Sequence, residues 1–407
     1  MRRVVVTGMG IVSSLGHTVA AAYERLKTPQ NCVRRSEDLQ TYKGLQTCLW
    51  APCGYVRPPA YTRKVIRTMS PVSEMALFAT DQALAQAGLL GDPVLTGGRL
   101  GVAYGSCSGG VAANADFYSV LMNREVRNVT SSTYIKMMSQ TCAVNLSVHY
   151  GTTGRLLPTG TACTSGSLAV GEAYEAIRFG AQDVMIAGGA EEFSVTQVAV
   201  FDTLFATSRR NEAPETTPRA FDRDRDGLVI GDGAATLVLE ELEHARARGA
   251  TILAEVVGFG TNTDGRHVTQ PNAETMAVAL RLALADAGLA PSDVGYVNAH
   301  GTATDLGDIA EGTATAAVFG DAKPLVSTIK SYTGHTLGAC GAIEAVLTVE
   351  MLRHGWFAPN LNLANPDPRC GEHDFVTGAG RSRETEFAMS DNFAFGGVNT
   401  SLVFRRT

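Results

Sequence analysis

The stretch PTGTACTSGSLAVGEAYEAIRFG, residues 158–180, places a single cysteine, Cys163, among small residues and runs at once into an alanine-rich segment of helical length. A second stretch repeats its outline. Cys163 to Gly180 ends in IRFG; Gly338 to Gly355 has the same length, follows another glycine-rich turn and ends in LRHG. Internal repetition of this kind marks a duplicated unit. It predicts two related halves, residues 1–250 and 251–407. No Pro/Ser-rich linker separates them, so a shared core is expected.

Around these segments β-branched runs alternate with helical patterns. Strands are expected at RRVVVTG, RLGVAYG, DVMIAGG, ATLVLEE, ILAEVVGFG, VGYVNAHG, PLVSTIK and TSLVFRR. Helices are expected at Pro71–Ala87, Gly166–Phe179, Ala273–Ala287, Asp308–Phe319 and Gly341–Arg353. The alternation predicts an α/β fold with sheets covered on both faces.

The 407 residues, 45% hydrophobic and 18% charged, suffice for a large core. A net charge of −6 weighs against a general nucleic-acid binder. No apolar run reaches the roughly 18 residues that a membrane span needs. The eight cysteines form no CxxC pair, which removes zinc-ribbon and thioredoxin-like readings; free thiols in a reducing cytoplasm are expected.

Three glycine- or acid-rich motifs fail as cofactor sites. In TGMGIVSS, Ser13 stands where a dinucleotide fingerprint needs its third glycine, so Gly8 and Gly10 read as a tight turn after a strand Arg3–Thr7. DRDRDGLVIGDG sets Asp222, Asp224, Asp226 and Gly227 like a calcium loop, but Gly233 replaces the bidentate glutamate. GSCSGG, residues 105–110, frames Cys107 like a nucleophile elbow, yet reads better as a glycine-lined floor beneath a substrate.

Cys163 carries more. Thr164, Ser165 and Gly166 suit a helix N-terminus, where free N–H groups and the helix dipole stabilise a thiolate. Two histidines occupy equally small, polar surroundings: His300 in NAHGTATDLGDIAEG and His335 in STIKSYTGHTLGACGAIEA. All three sit at strand-to-helix transitions, where α/β active sites collect, and together they make a thiol-ester site. No short stretch holds three His or Cys ligands, so no metal is expected.

TACTSG, NAHGTATDLGD, IKSYTGHTLGACGAIE and NFAFGGVN, with PRAFDRDRDGLVIGDGAA and the opening VVVTGMGIVSSLG, resemble the β-ketoacyl-acyl-carrier-protein synthases of the II type, in the same order across the whole chain. The resemblance implies the thiolase fold: duplicated βαβαβαββ halves in a five-layer α-β-α-β-α sandwich, usually dimeric. It implies decarboxylative Claisen condensation in the cytoplasm, on substrates carried by the phosphopantetheine of an acyl carrier protein, with no further cofactor. Cys163 is then the nucleophile, and His300 and His335 flank the malonyl thioester. Lys330, Asp308, Glu311 and Glu344 form the charged network behind the histidines. The N–H groups of Cys163 and Phe395 make the oxyanion hole, and Thr302 and Thr304 hold the pantetheine. Phe395, Gly396 and Gly397 form one gate and Thr261–Pro271 a second. Arg63, Lys64, Arg67, Arg127, Arg209 and Arg210 match carrier-docking positions.

Ser108 departs from the pattern, standing at the acyl-pocket floor where isoleucine is common, and suggests room for long, stiff or oxygenated chains such as a polyene. Such a pocket also suits the catalytic subunit of a type II polyketide synthase paired with a chain-length-factor homologue, so homodimer and heterodimer are both expected partners. An inactive chain-length subunit is disfavoured by the presence of Cys163, a thiolase by the absence of a matching glycine turn around Cys370, and a cysteine hydrolase would use Cys107.

Overall fold

The computed structural model describes residues 1–407. Its first half supplies strands β1 (Val4–Val12), β2 (Leu100–Gly105), β3 (Leu156–Thr159), β4 (Val184–Glu191) and β5 (Gly233–Glu241). The second supplies β6 (Ala254–Thr263), β7 (Val294–Asn298), β8 (Leu325–Ser327), β9 (Asp374–Phe375), β10 (Phe387–Phe393) and β11 (Val398–Arg405). They hydrogen-bond in the order β9-β8-β7-β10-β11-β6-β1-β5-β4-β2-β3. The two halves join where β1 runs antiparallel to β6, Val4 opposite Val256.

Six helices complete the layers: α1 (Pro71–Ala87), α2 (Thr141–Tyr150), α3 (Ser165–Arg178), α4 (Ala273–Ala287), α5 (Asp305–Phe319) and α6 (Cys340–His354). α3 packs on β4 and β2 on one side and on β11 and β6 on the other; α6 touches β5, β10 and α3. These two helices are the middle layer. α1 and α2 cover the outer face of the first half and α4 and α5 that of the second, giving the five-layer sandwich. The largest apolar cluster, 44 buried residues, draws on both halves. No helix is long and apolar enough to cross a membrane.

Gly8 and Gly10 do not turn the chain. β1 runs through them, because α1 lies directly on the strand backbone: a Cβ at Gly8 would meet Ala83 O at 2.0 Å and one at Gly10 would meet Ala79 O at 1.9 Å. The second half repeats the device, with Gly258 facing Ala283 O at 2.4 Å and Gly260 facing Ala279 O at 2.2 Å. Glycine here marks a close backbone approach inside a strand. In PLVSTIK the strand stops at Ser327, and Lys330 opens a helical turn, Lys330–Thr333. β10, FAMSDNF, carries no alternating apolar signal, since Ser390, Asp391 and Asn392 are all buried.

Candidate active site

Cys163 sits in a single 3-10 turn, Ala162–Thr164, that opens α3. The preceding Ala162 takes a left-handed φ of 51°. That conformation is costly for alanine and persists only where the surroundings enforce it. They do so here: Ser165 Oγ accepts from Thr161 N–H (2.9 Å) and donates to Ala162 O (2.7 Å), and Thr164 Oγ1 donates to Thr161 O (2.8 Å). Gly166 lets α6 approach the elbow; a Cβ there would meet Ala342 N at 2.8 Å.

His335 Nε2 lies 3.0 Å from Cys163 Sγ, and its Nδ1 accepts from Leu337 N–H at 3.2 Å. His300 Nδ1 accepts from Lys330 Nζ at 3.0 Å and from Asn392 Nδ2 at 3.2 Å. An imidazole nitrogen that accepts carries no proton, so both neutral rings hold their proton on Nε2. The rings stand edge to face, centroids 5.2 Å apart. Burial and then Lys330 hold both rings well below the ordinary histidine range, so both are neutral at pH 7. The sulfur and a ring nitrogen of each histidine lie within 4.8 Å of one another, spacing a cation would accept. The Nε2 protons, however, sit where a metal would need lone pairs.

The sequence reading has Cys163 ionised by the helix terminus. The geometry corrects this: burial dominates and pushes the thiol up to about 11, although Lys330 and the N–H groups of Cys163 and Phe395 pull the other way. At pH 7 the resting group is a thiol under two backbone donors.

Behind the histidines, Lys330 donates to Glu344 Oε1 at 2.5 Å. Burial works against the lysine charge; Cys340, Glu344 and Glu311 more than offset it. Glu311 grips the His300 segment by the backbone, accepting from His300 N–H (2.6 Å) and Gly301 N–H (2.7 Å). Asp308 sits at the edge of this cluster, its charge helping to raise Glu311. It accepts from Ala303 N–H (3.0 Å) and Phe221 N–H (2.7 Å) and faces the buried Arg225 guanidinium at 3.6 Å, so it shapes the Thr302–Thr304 loop. Asn392 joins His300 Nδ1 to Glu344 Oε2 (2.6 Å). Asn392 opens the motif NFAFGGVN, but nothing local in the sequence points to its contact with His300.

A cavity of about 510 Å³ reaches Cys163, lined by His300, His335, Thr302, Thr304 and Phe395 among others. Thr302 and Thr304 bond each other at 3.0 Å on its wall. Gly396 N–H donates to Val268 O (2.7 Å) and Asp264 N–H to Gly397 O (2.8 Å), so the segment carrying Phe395 is fastened to the expected second gate. Of that gate, Thr261–Thr263 belong to β6 and pair with β11.

Ser108 does not line this cavity. Its Oγ accepts from Gln197 Nε2 (3.1 Å) and its N–H donates to Glu191 (3.1 Å). Burial and Glu191 push the Cys107 thiol well up, and no imidazole faces it. Cys370 is buried outside the cavity, against Gly312. Asp222 and Asp226 accept separate backbone and side-chain donors and do not converge. Among the basic positions, Arg63, Lys64, Arg67 and Arg209 are exposed. Arg127 pairs with Glu125 (2.6 Å) and Arg210 with Asp226 (3.3 Å).

A duplicated sheet sandwich that buries one cysteine beside two neutral histidines at a cavity defines a thiolase-fold acyltransferase. The beta-ketoacyl synthase N-terminal domain matches residues 1–245 and the C-terminal domain residues 253–364, and the chain belongs to this family. It is 40% identical to 3-oxoacyl-[acyl-carrier-protein] synthase 2 of Vibrio cholerae, over 100% of this chain and 99% of the relative. A crystal structure of a beta-ketoacyl synthase from Burkholderia phymatum superposes with a TM-score of 0.98 at 54% identity, covering all of both chains. The ishigamide ketosynthase/chain length factor matches with a TM-score of 0.90 at 29% identity, over 100% and 99% of the two chains.

Proposed function

We propose that this chain is an elongating ketosynthase that condenses an acyl group, held on Cys163, with malonyl-acyl carrier protein. One observation carries the reading: Cys163 Sγ lies 3.0 Å from a neutral His335, with a second neutral histidine beside it in the same cavity.

In the first step the Cys163 sulfur attacks the acyl thioester of the carrier. A new C–S bond forms, the bond to pantetheine breaks, and the thiol proton leaves with the pantetheine sulfur. The N–H groups of Cys163 and Phe395 take the charge on the carbonyl oxygen; a donor in such a position is worth about 10²–10³ in rate. Malonyl-carrier protein then enters. Its carboxylate leaves as carbon dioxide, and the electron pair of that bond becomes an enolate on the thioester. The Nε2–H groups of His300 and His335 donate to the enolate oxygen, which neutral rings can do without surrendering the proton. The carbanion attacks the Cys163 thioester, the C–S bond breaks, and the released thiolate takes up a proton from solvent. Lys330 holds His300 in the donor tautomer.

The substrates arrive on an acidic carrier, for which exposed Arg63, Lys64, Arg67 and Arg209 form a basic docking rim; Thr302 and Thr304 take the pantetheine arm. The reaction needs no other cofactor and is placed in the cytoplasm, where the free thiols persist. The unpaired edge of β3 and the exposed apolar side chains of Leu121, Met122 and Tyr134 suit a second subunit. A homodimer is the first choice. The likeness to a ketosynthase/chain length factor supports a second reading, in which the partner is an inactive homologue.

Incubation with defined acyl- and malonyl-carrier proteins tests the reaction. The Cys163 peptide gains the acyl mass, and the product is longer by two carbons and bears a β-keto group. Acylation at Cys107, or hydrolysis without elongation, would reject it. Co-expression with a homologue lacking the cysteine separates the two assemblies.

A further inference from the structure

Glu191 ends β4 with its side chain fully buried. Four N–H donors surround it in place of a cation. Oε2 accepts from Cys107 N–H (2.7 Å) and Gly338 N–H (3.2 Å), and Oε1 from Ser108 N–H (3.1 Å) and Gln197 Nε2 (3.2 Å). The donors belong to three segments, the loop after β2, the turn after His335 and the helix Val195–Thr203; apart from the Gln197–Ser108 bond, the carboxylate is what ties the His335 turn to the other two. A Cβ at Gly338 would stand 2.6 Å from Oε2, so the carboxylate fills the only space there.

The residue before Gly338 supplies the N–H that holds His335 Nδ1. Fixing Gly338 therefore fixes the donor that sets the His335 tautomer and ring direction. The Cys163 elbow carries hydrogen bonds of its own, between Ser165 Oγ and Thr161 N–H and Ala162 O, and meets the Glu191 cluster only through the Cys107 and Cys340 thiols and the Gly338 carbonyl. Four donors favour the ionised form, since a protonated carboxyl gives up an acceptor site to its O–H and cannot keep all four bonds.

We propose that Glu191 is the positioning residue for His335: as an anion it pins the Leu337–Gly338 turn and so holds the imidazole as decarboxylation and carbon–carbon bond formation require, without contributing to acylation of Cys163. This rests on the ketosynthase reading above. Burial pushes Glu191 up to about 7, against the N–H groups of Cys107, Ser108 and Gly338 that favour the anion. Burial keeps the Cys107 and Cys142 thiols protonated, and Glu192, whose own pKa burial also raises, is held by the N–H groups of Val72 and Val111.

The test uses the full chain with acyl- and malonyl-carrier proteins, as wild type and Glu191→Gln. Acylation of Cys163 is followed by mass in a single turnover, and condensation by product formation, from pH 6 to 9. Acylation should stay within about threefold of wild type while condensation falls by about tenfold or more. Wild-type condensation should decline as pH drops through about 7, and the variant should lack that limb. Equal slowing of both steps, or an unchanged condensation rate, overturns the proposal. If the variant does not fold, ¹⁵N ring signals of histidine-labelled wild type decide. His335 should leave the pure Nε2–H tautomer as Glu191 protonates near pH 7; a signal that never moves there overturns the proposal. A wild type that acylates but never condenses would reject the ketosynthase reading, and the ring signals would still judge the Glu191 clamp.

Discussion

The two central helices begin in the same way and end up with different work. Ala162 and Leu337 both adopt left-handed backbone, φ 51° and 49°, and each leads a single 3-10 turn into its helix. Gly166 and Gly341 stand at matching places and let the helices touch: Cβ atoms there would meet Ala342 N at 2.8 Å and Ser167 N at 2.6 Å. After Ala162 comes Cys163, beside the cavity. After Leu337 comes Gly338, whose N–H goes to Glu191. The same elbow thus faces the cavity in one half and the protein's own carboxylate in the other. Duplication copied the scaffold; the group facing each elbow decides whether it reacts or supports.

The comparison breaks first at the sulfur. Cys163→Ala should lower condensation by about 10³-fold or more, read as loss of acyl mass on the Cys163 peptide and of product. Replacing His335 by alanine removes an enolate donor and should cost about 10²–10³ in condensation, with a smaller loss in acylation; comparing the two single-turnover rates checks it. Alkylation of Cys163 by iodoacetamide separates a thiol from a resting thiolate. With the group pushed up to about 11, the rate should rise about tenfold per pH unit, so about a hundredfold between pH 7 and 9. A rate flat over that range would mean an ionised sulfur.

Gly166→Ala and Gly341→Ala sharpen the comparison from the packing side. Each should cost about 1–3 kcal/mol in denaturant unfolding, because backbone on the facing helix must move. Equal losses at the two positions would show that both elbows depend alike on the close approach. Charge reversal of Arg63, Lys64 and Arg67 should have the smallest effect. A few-fold rise in KM for the carrier protein, fading with added salt, is expected. The same change at Arg127 or Arg210, already paired with Glu125 and Asp226, should do less.

Helices α1 and α4 were legible to the residue, because long periodic segments between turn signals specify themselves. Cys163, His300 and His335 were legible as a set because each lies in a small-residue turn. What escaped reading was set by partners distant in sequence. Gly8 and Gly10 look like a turn until α1 is seen lying on them. β10 hides because three of its seven residues are polar, and Asn392 among them serves His300 rather than the core. Glu191 offers no local motif at all; its donors come from residues 107, 108, 197 and 338. Ser108 shows no local sign that Gln197, some ninety residues away, bonds its hydroxyl.

The glycine pairs in β1 and β6 have a consequence for how such a molecule can change. Each outer helix is seated backbone against backbone, through the carbonyls of Ala79 and Ala83 or of Ala279 and Ala283. Its solvent side therefore plays no part in anchoring it, and can drift in charge and shape as new neighbours demand while the reaction chamber inside keeps its dimensions.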